Sequence, residues 1–159
     1  MKILVKSVYD AFDYCMSHYY PFGLEEFAER SDRYAVISIQ DSHLGGFGFK
    51  FTENNFCTGV LTLLFDDTVR DIPGTVLFSE EQAERIIDFI LDHLDSDTLL
   101  IHCYGGQSRS VAVAAFACMM LGSDNSSFFE KARPNEHVYS TLAKVLEKRD
   151  NSYIEEDPS

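Results

Sequence analysis

The residues with the most chemical content lie in one stretch, residues 99–110, LLIHCYGGQSRS. An apolar strand there runs into a short loop with two glycines and then into an apolar, buried helix. That order gathers backbone amides and a helix N-terminus around one point, a geometry that suits a tetrahedral anion such as phosphate. Cys103 stands at the strand end, and Arg109 follows six positions later in the first helical turn. From there its side chain can fold back over the same point. A planar guanidinium makes two parallel hydrogen bonds to phosphate oxygens and keeps its charge.

A thiol at the focus of amides, a helix dipole and a guanidinium is expected to titrate below its usual value of about 8.5, becoming a nucleophile at neutral pH. The amides of Tyr104, Gly105, Gly106, Gln107, Ser108 and Arg109 are expected to line the anion. Gly105 and Gly106 would supply positive φ and a close backbone approach. Ser110 places a hydroxyl where it can donate to the sulfur and ease its departure from a phosphorylated intermediate. His102 is expected to orient the loop through hydrogen bonds rather than to titrate.

The elements that must hold these residues follow from apolar periodicity. Four runs read as buried strands, at residues 2–5, 34–39, 60–65 and 98–102. Between the last two, residues 79–94 place Ala83, Ile86, Ile87, Ile90, Leu91 and Leu94 at helical spacing, opened by Ser79 and Gln82 as a capping box. A buried helix beginning near Ser108 or Arg109 is stopped at Gly122, and two further helices are expected at residues 126–132 and 136–149. Strand and helix patterns alternate, so the fold class is α/β, with a mostly parallel sheet of four to five strands flanked by helices. One domain is expected over residues 1–149, followed by a frayed acidic tail at 150–159. The Gly- and Phe-rich segment 42–51 directly follows a strand and reads as a pocket wall or as a loop covering the core.

Composition narrows the function. The 159 residues carry 26 Asp and Glu against 13 Lys and Arg, a net charge of -13 that repels nucleic acid and anionic lipid. No apolar run approaches the roughly 20 residues needed to cross a bilayer, and the opening MKILVKSVYD lacks the order of a signal peptide. A cytoplasmic protein with neither nucleic-acid nor membrane partners is expected. Cys15, Cys57, Cys103 and Cys118 are too few and too scattered for a disulfide scaffold and have no zinc spacing. A Cys103–Cys57 disulfide would require their two loops to meet. His18, His43, His93 and His137 show no ligand spacing, so no metal or other cofactor is expected.

The octapeptide HCYGGQSR at residues 102–109 resembles the HCxxGxxR signature of the cysteine-dependent protein tyrosine phosphatases, with Ser110 in the serine position that commonly follows. The small dual-specificity-like and bacterial members are similar in length and element order, including the capped helix before the signature strand and a Pro-Asn dipeptide, here Pro134 and Asn135, before the last helix. The similarity extends over about residues 60–146. It implies hydrolysis of phosphate monoesters, foremost phosphotyrosine in proteins, through a phosphocysteine intermediate, with phosphate, sulfate or vanadate as active-site anions. Such enzymes protonate the leaving oxygen with an aspartate upstream of the signature. The resemblance points to Asp67 in FDDT, 36 positions before Cys103, with Asp66 as the alternative.

Position 105 is Gly where many members have Ala. The loop also lacks the lysines of phosphoinositide-directed relatives, so inositol phospholipids are not expected substrates, and no phosphotyrosine-recognition motif of the large members is present. Two other readings share parts of this pattern. One is an inactive phosphoprotein-binding relative, and the other is a rhodanese-like sulfurtransferase, whose loop does not require the arginine.

Overall fold

The computed structural model describes residues 1–20, 30–43 and 50–156, and four strands and five helices occur among them. The strands are β1 (Lys2–Ser7), β2 (Tyr34–Gln40), β3 (Cys57–Leu64) and β4 (Thr98–Cys103). They form one sheet in the order β1-β4-β2-β3, with every pair parallel. The two central strands are buried along their whole length, as near-continuous apolar runs require. Edge strand β3 alternates between buried and open positions instead.

Parallel strands need crossovers, and these supply the flanking layers. Helix α1 (Val8–Tyr19) covers one face, burying Ala11, Cys15 and Tyr19 against Val36, Leu100 and Phe56. On the other face lie α2 (Glu80–Asp92), α3 (Arg109–Met120), α4 (Ser126–Lys131) and α5 (Glu136–Glu156). There Ile37, Ile39, Leu63, Leu99 and Ile101 of the sheet meet Ile86, Ile90, Phe116, Val138 and Leu142. Each such large side chain taken out of water contributes roughly 1.5–3 kcal/mol, so this face holds most of the stabilising burial.

The sequence expectations hold for the sheet and for α2, whose capping box forms in full between Ser79 and Gln82. They need amendment elsewhere. Ala83, Ile86, Ile87 and Ile90 are buried, whereas Leu91 sits at the open margin of that stripe and Leu94 lies past the helix end at Asp92, and both are exposed. Helix α5 continues to Glu156, beyond the end expected at residue 149. Helix α1 was not expected at all. Most of segment 42–51 lies outside the described residues. No helix among the described residues is long and apolar enough to cross a membrane.

Candidate active site

Strand β4 ends at Cys103, and the loop 104–108 returns the chain into α3, whose first residue is Arg109. The register of β1 against β4 sets Ser7 beside Cys103. Ser7 also caps α1 by accepting from the Asp10 amide, and the Val8 amide donates to the Tyr104 carbonyl at 3.2 Å. The strand-to-helix switch at residue 7 thus supports the loop from behind.

Cys103 is buried, and its sulfur has two close polar neighbours. The Gly106 amide donates to Sγ at 3.2 Å, and Ser110 Oγ lies 3.1 Å from it. The two loop glycines differ. Gly106 has φ +68° and its backbone presses on β1, so a Cβ there would fall 2.6 Å from the Ser7 nitrogen and 2.7 Å from the Lys6 carbonyl carbon. Gly105 has no positive φ, and a Cβ there would meet nothing within 4 Å. The expectation that both positions use glycine's freedom therefore holds for Gly106 only.

Arg109 is only 5% exposed and folds back as its spacing suggested. Its Nη1 donates to the Phe65 carbonyl at 2.8 Å and ion-pairs with Asp41 Oδ1 at 2.6 Å. Buried Nε has no hydrogen-bond partner among the described residues, so it remains a donor that the guanidinium can offer to an anion. Asp41, just past the end of β2, was not singled out from sequence, and no local pattern marks an acidic residue that works across the sheet.

The two aspartates after β3 have different surroundings. Asp66 is buried and accepts from the Ser42 amide at 3.0 Å, from Ser42 Oγ and from the Val76 amide at 2.8 Å. Burial raises its pKa, but the hydrogen bonds outweigh burial and hold the carboxyl below the usual carboxylate range. Asp67 is exposed and reaches the loop. Its Oδ1 accepts from Ser108 Oγ at 2.9 Å and from Asn135 Nδ2 at 2.8 Å. Asn135 is buried, and it also donates from Nδ2 to the Thr68 carbonyl and from its backbone to the Ser108 carbonyl, while its Oδ1 accepts from the Val138 amide at 3.0 Å. The Pro134–Asn135 pair was noted in the sequence only as a marker before the last helix. Its role in joining three segments rests on contacts 67 and 68 residues apart.

His102 lies behind the loop in a buried polar row. Its Nε2 is 2.6 Å from Ser38 Oγ, which accepts from Gln40 Nε2. Burial pulls its pKa down to about 4, helped by the Arg109 charge and opposed by the contact with the Cys103 carbonyl. A ring neutral at pH 7 agrees with an orienting part. Gln107 and Tyr104 are exposed, and the Tyr104 ring meets Tyr9 edge-on at 6.4 Å.

All four cysteines are free. Burial pushes Cys15 up to about 12 and Cys57 up to about 11, and it also raises Cys118, so these three remain thiols. Cys57 cannot pair with Cys103. Tyr34 is in register with both Cys57 and Thr98, which puts Cys57 at the opposite end of the sheet from Cys103. The offset along the strand is roughly 16 Å at ~3.3 Å per residue.

No protein-family model and no curated protein sequence matches the chain. Solved structures do. Human DUSP28 superposes with a TM-score of 0.53 at 15% identity, with 94% of each chain covered. PTPMT1 gives 0.51 at 13% identity, covering 97% of this chain and 95% of its own. The human tyrosine phosphatase-like serine/threonine/tyrosine-interacting protein gives 0.50 at 19% identity, covering 77% and 79%. The resemblance read from residues 102–110 therefore holds at the level of architecture, and this chain has the fold of the tyrosine and dual-specificity phosphatases.

Proposed function

We propose that the protein is a cysteine-dependent phosphatase that hydrolyses phosphate monoesters, phosphotyrosine in proteins foremost, in a reducing cytoplasm where its thiols stay free. The observation that carries this reading is the convergence of the Gly106 amide and the Ser110 hydroxyl on Cys103 Sγ, at the head of a helix whose first residue is the buried Arg109. Asp67 reaches the same loop through Ser108.

The chemistry follows in two steps. The Cys103 thiolate attacks phosphorus while Arg109 and the amides of residues 104–109 hold the three equatorial oxygens. Asp67 gives its proton to the leaving oxygen as the P–O bond breaks. Water then attacks the phosphocysteine, with Asp67 taking a proton back and Ser110 donating to the departing sulfur. Because Nη1 of Arg109 is already tied to Asp41 and Phe65, the guanidinium arrives oriented, and little reorganisation is needed as charge spreads in the transition state.

The deciding assay is turnover of para-nitrophenyl phosphate, expected in the wild type and abolished in Cys103→Ser. Asp67→Asn is expected to slow phenyl phosphate by 10²- to 10³-fold, the order that acid catalysis contributes, and para-nitrophenyl phosphate, with its good leaving group, far less. If Asp66→Asn shows that pattern and Asp67→Asn does not, the acid is Asp66. Vanadate or phosphopeptide binding with no turnover would identify a binding relative. Thiosulfate-dependent sulfur transfer would identify the rhodanese-like reading.

A further inference from the structure

Helix α1 carries two apolar stripes. Val8, Ala11, Cys15 and Tyr19 recur at helical spacing and are buried against the sheet, which accounts for the first. Tyr9, Phe12 and Met16 form the second, at i, i+3 and i+7 on the flank beside it. Tyr9 is 65% exposed, the highest value for a large apolar side chain among the described residues, Phe12 is also exposed and Met16 is half-buried.

The second stripe continues past the helix. The Tyr9 ring meets the exposed Tyr104 ring edge-on at 6.4 Å, and the Val8 amide donates to the Tyr104 carbonyl at 3.2 Å, so the stripe runs into the loop that holds Cys103. From Tyr9 to Met16 it extends about 10 Å at 1.5 Å of rise per residue. An extended peptide covers that length in about three residues, at ~3.3 Å each. The residues next to a phosphotyrosine held in the loop are therefore within reach of it.

Charge narrows what fits there. Asp10 and Asp13 are exposed on the outer side of the stripe, on a chain whose net charge is -13. A phosphorylated segment brings further negative charge to that surface, and neighbouring Lys or Arg side chains offset the repulsion and steer the encounter.

We propose that Tyr104, Tyr9, Phe12 and Met16 form a docking surface for the substrate protein, taking large apolar side chains accompanied by basic residues from the few positions adjoining the phosphotyrosine. This rests on the phosphatase reading and names its substrate class. The apolar side chains lie on the rings, and the basic heads meet Asp10 and Asp13.

The test measures kcat/KM on one phosphotyrosine peptide scaffold carrying Leu-Leu-Lys-Lys, Ser-Ser-Lys-Lys or Leu-Leu-Glu-Glu, placed on either side of the phosphotyrosine. We expect the wild type to favour Leu-Leu-Lys-Lys over Ser-Ser-Lys-Lys by about tenfold on one side, the order that partial burial of two leucines contributes. It should also favour Leu-Leu-Lys-Lys over Leu-Leu-Glu-Glu, by a margin that shrinks as salt is raised. In the Tyr9→Ser, Phe12→Ser double variant, whose replaced side chains are exposed, the apolar preference should fall to near unity. In Asp13→Lys the charge preference should fall and the apolar one persist. A wild-type apolar ratio near unity on both sides, or one unchanged in the double variant, overturns the docking surface. So does a wild-type dimer in sedimentation that the double variant converts to monomer, since the stripe would then belong to a second copy. Para-nitrophenyl phosphate has no flanking residues and separates the two claims. Turnover of it without peptide preference removes the docking surface and leaves the phosphatase. If nothing is turned over, the same ratios are read as Kd values on Cys103→Ser protein, where an apolar preference lost in the double variant supports the surface and an unchanged one overturns it.

Discussion

At the scale of single residues, neighbours of the same type carry unequal duties. Gly106 combines a left-handed backbone with a Cβ position that would collide with β1 main chain, which cannot move without disturbing the β1–β4 register. Left-handed strain alone costs about 1–2 kcal/mol for an L residue, and the backbone clash adds to it. Gly106→Ala is therefore expected to lower the melting temperature by several degrees, by the usual scaling of stability to Tm, and to reduce kcat more than 100-fold by displacing the amide that faces Cys103 Sγ. Gly105→Ala should stay within about twofold of wild type in kcat, since its Cβ enters open space. Thermal melts and steady-state rates on the two variants check both statements, and equal sensitivity would mean that the loop adopts another path. The same inequality divides Asp66 from Asp67. Three hydrogen bonds tie Asp66 into the turn after β3, and its neighbour Asp67 reaches the loop through Ser108.

At the scale of elements, the site is assembled at one end of a parallel sheet, and the joints between elements decide its geometry. Asn135 is the joint with the most connections: it caps α5 through Val138, holds the Thr68 carbonyl and Asp67, and anchors to Ser108 at the head of α3. Asn135→Ala removes a helix cap worth about 1 kcal/mol and leaves the buried Thr68 carbonyl unpaired, for a total loss of about 2–3 kcal/mol in a urea unfolding experiment. Asn135→Asp keeps the capping oxygen but sets a like charge beside Asp67, the proposed general acid, which disfavours its ionised form in the variant. The basic limb of the kcat profile should then shift to higher pH while most of the stability is retained. An unshifted profile would break the proposed link to Asp67.

How much of this was legible in sequence differs by element. Apolar runs and the Ser79–Gln82 box are local, and they placed the strands and α2 correctly. Helix α1 was hidden because its cap, Ser7, is also the last residue of β1. No turn residue separates the two elements, and the Val, Tyr and Phe positions that follow read as well for a strand. Cys103, Arg109 and Ser110 were legible because they share one strand–loop–helix unit. Asp41 and the reach of Asn135 were not, since each acts on a residue more than 60 positions away.

At the scale of the whole molecule, pH acts on stability in two opposing ways. A net charge of -13 means that acidification from pH 7 toward the pI of about 4.6 relieves self-repulsion and stabilises the compact state. Buried His102 works against this. Its folded pKa of about 4 lies below the 6.5 of the exposed ring, so between those values the unfolded chain binds the extra proton and stability falls as pH falls. His102 thus contributes its full stabilisation above pH 6.5 and loses it progressively down to pH 4. Between pH 7 and pH 5 the loss amounts to about 2 kcal/mol, from 1.36 kcal/mol per pKa unit. Comparing wild type with His102→Gln separates the opposing contributions, because the variant keeps the charge relief and lacks the titration. In urea unfolding, the wild type is expected to lose about 2 kcal/mol relative to His102→Gln on going from pH 7 to pH 5, whatever the offset between the two proteins at pH 7. Parallel curves would mean that the ring stays solvated or is protonated in the fold, and the neutral Ser38–His102 row behind the Cys103 loop would have to be redrawn.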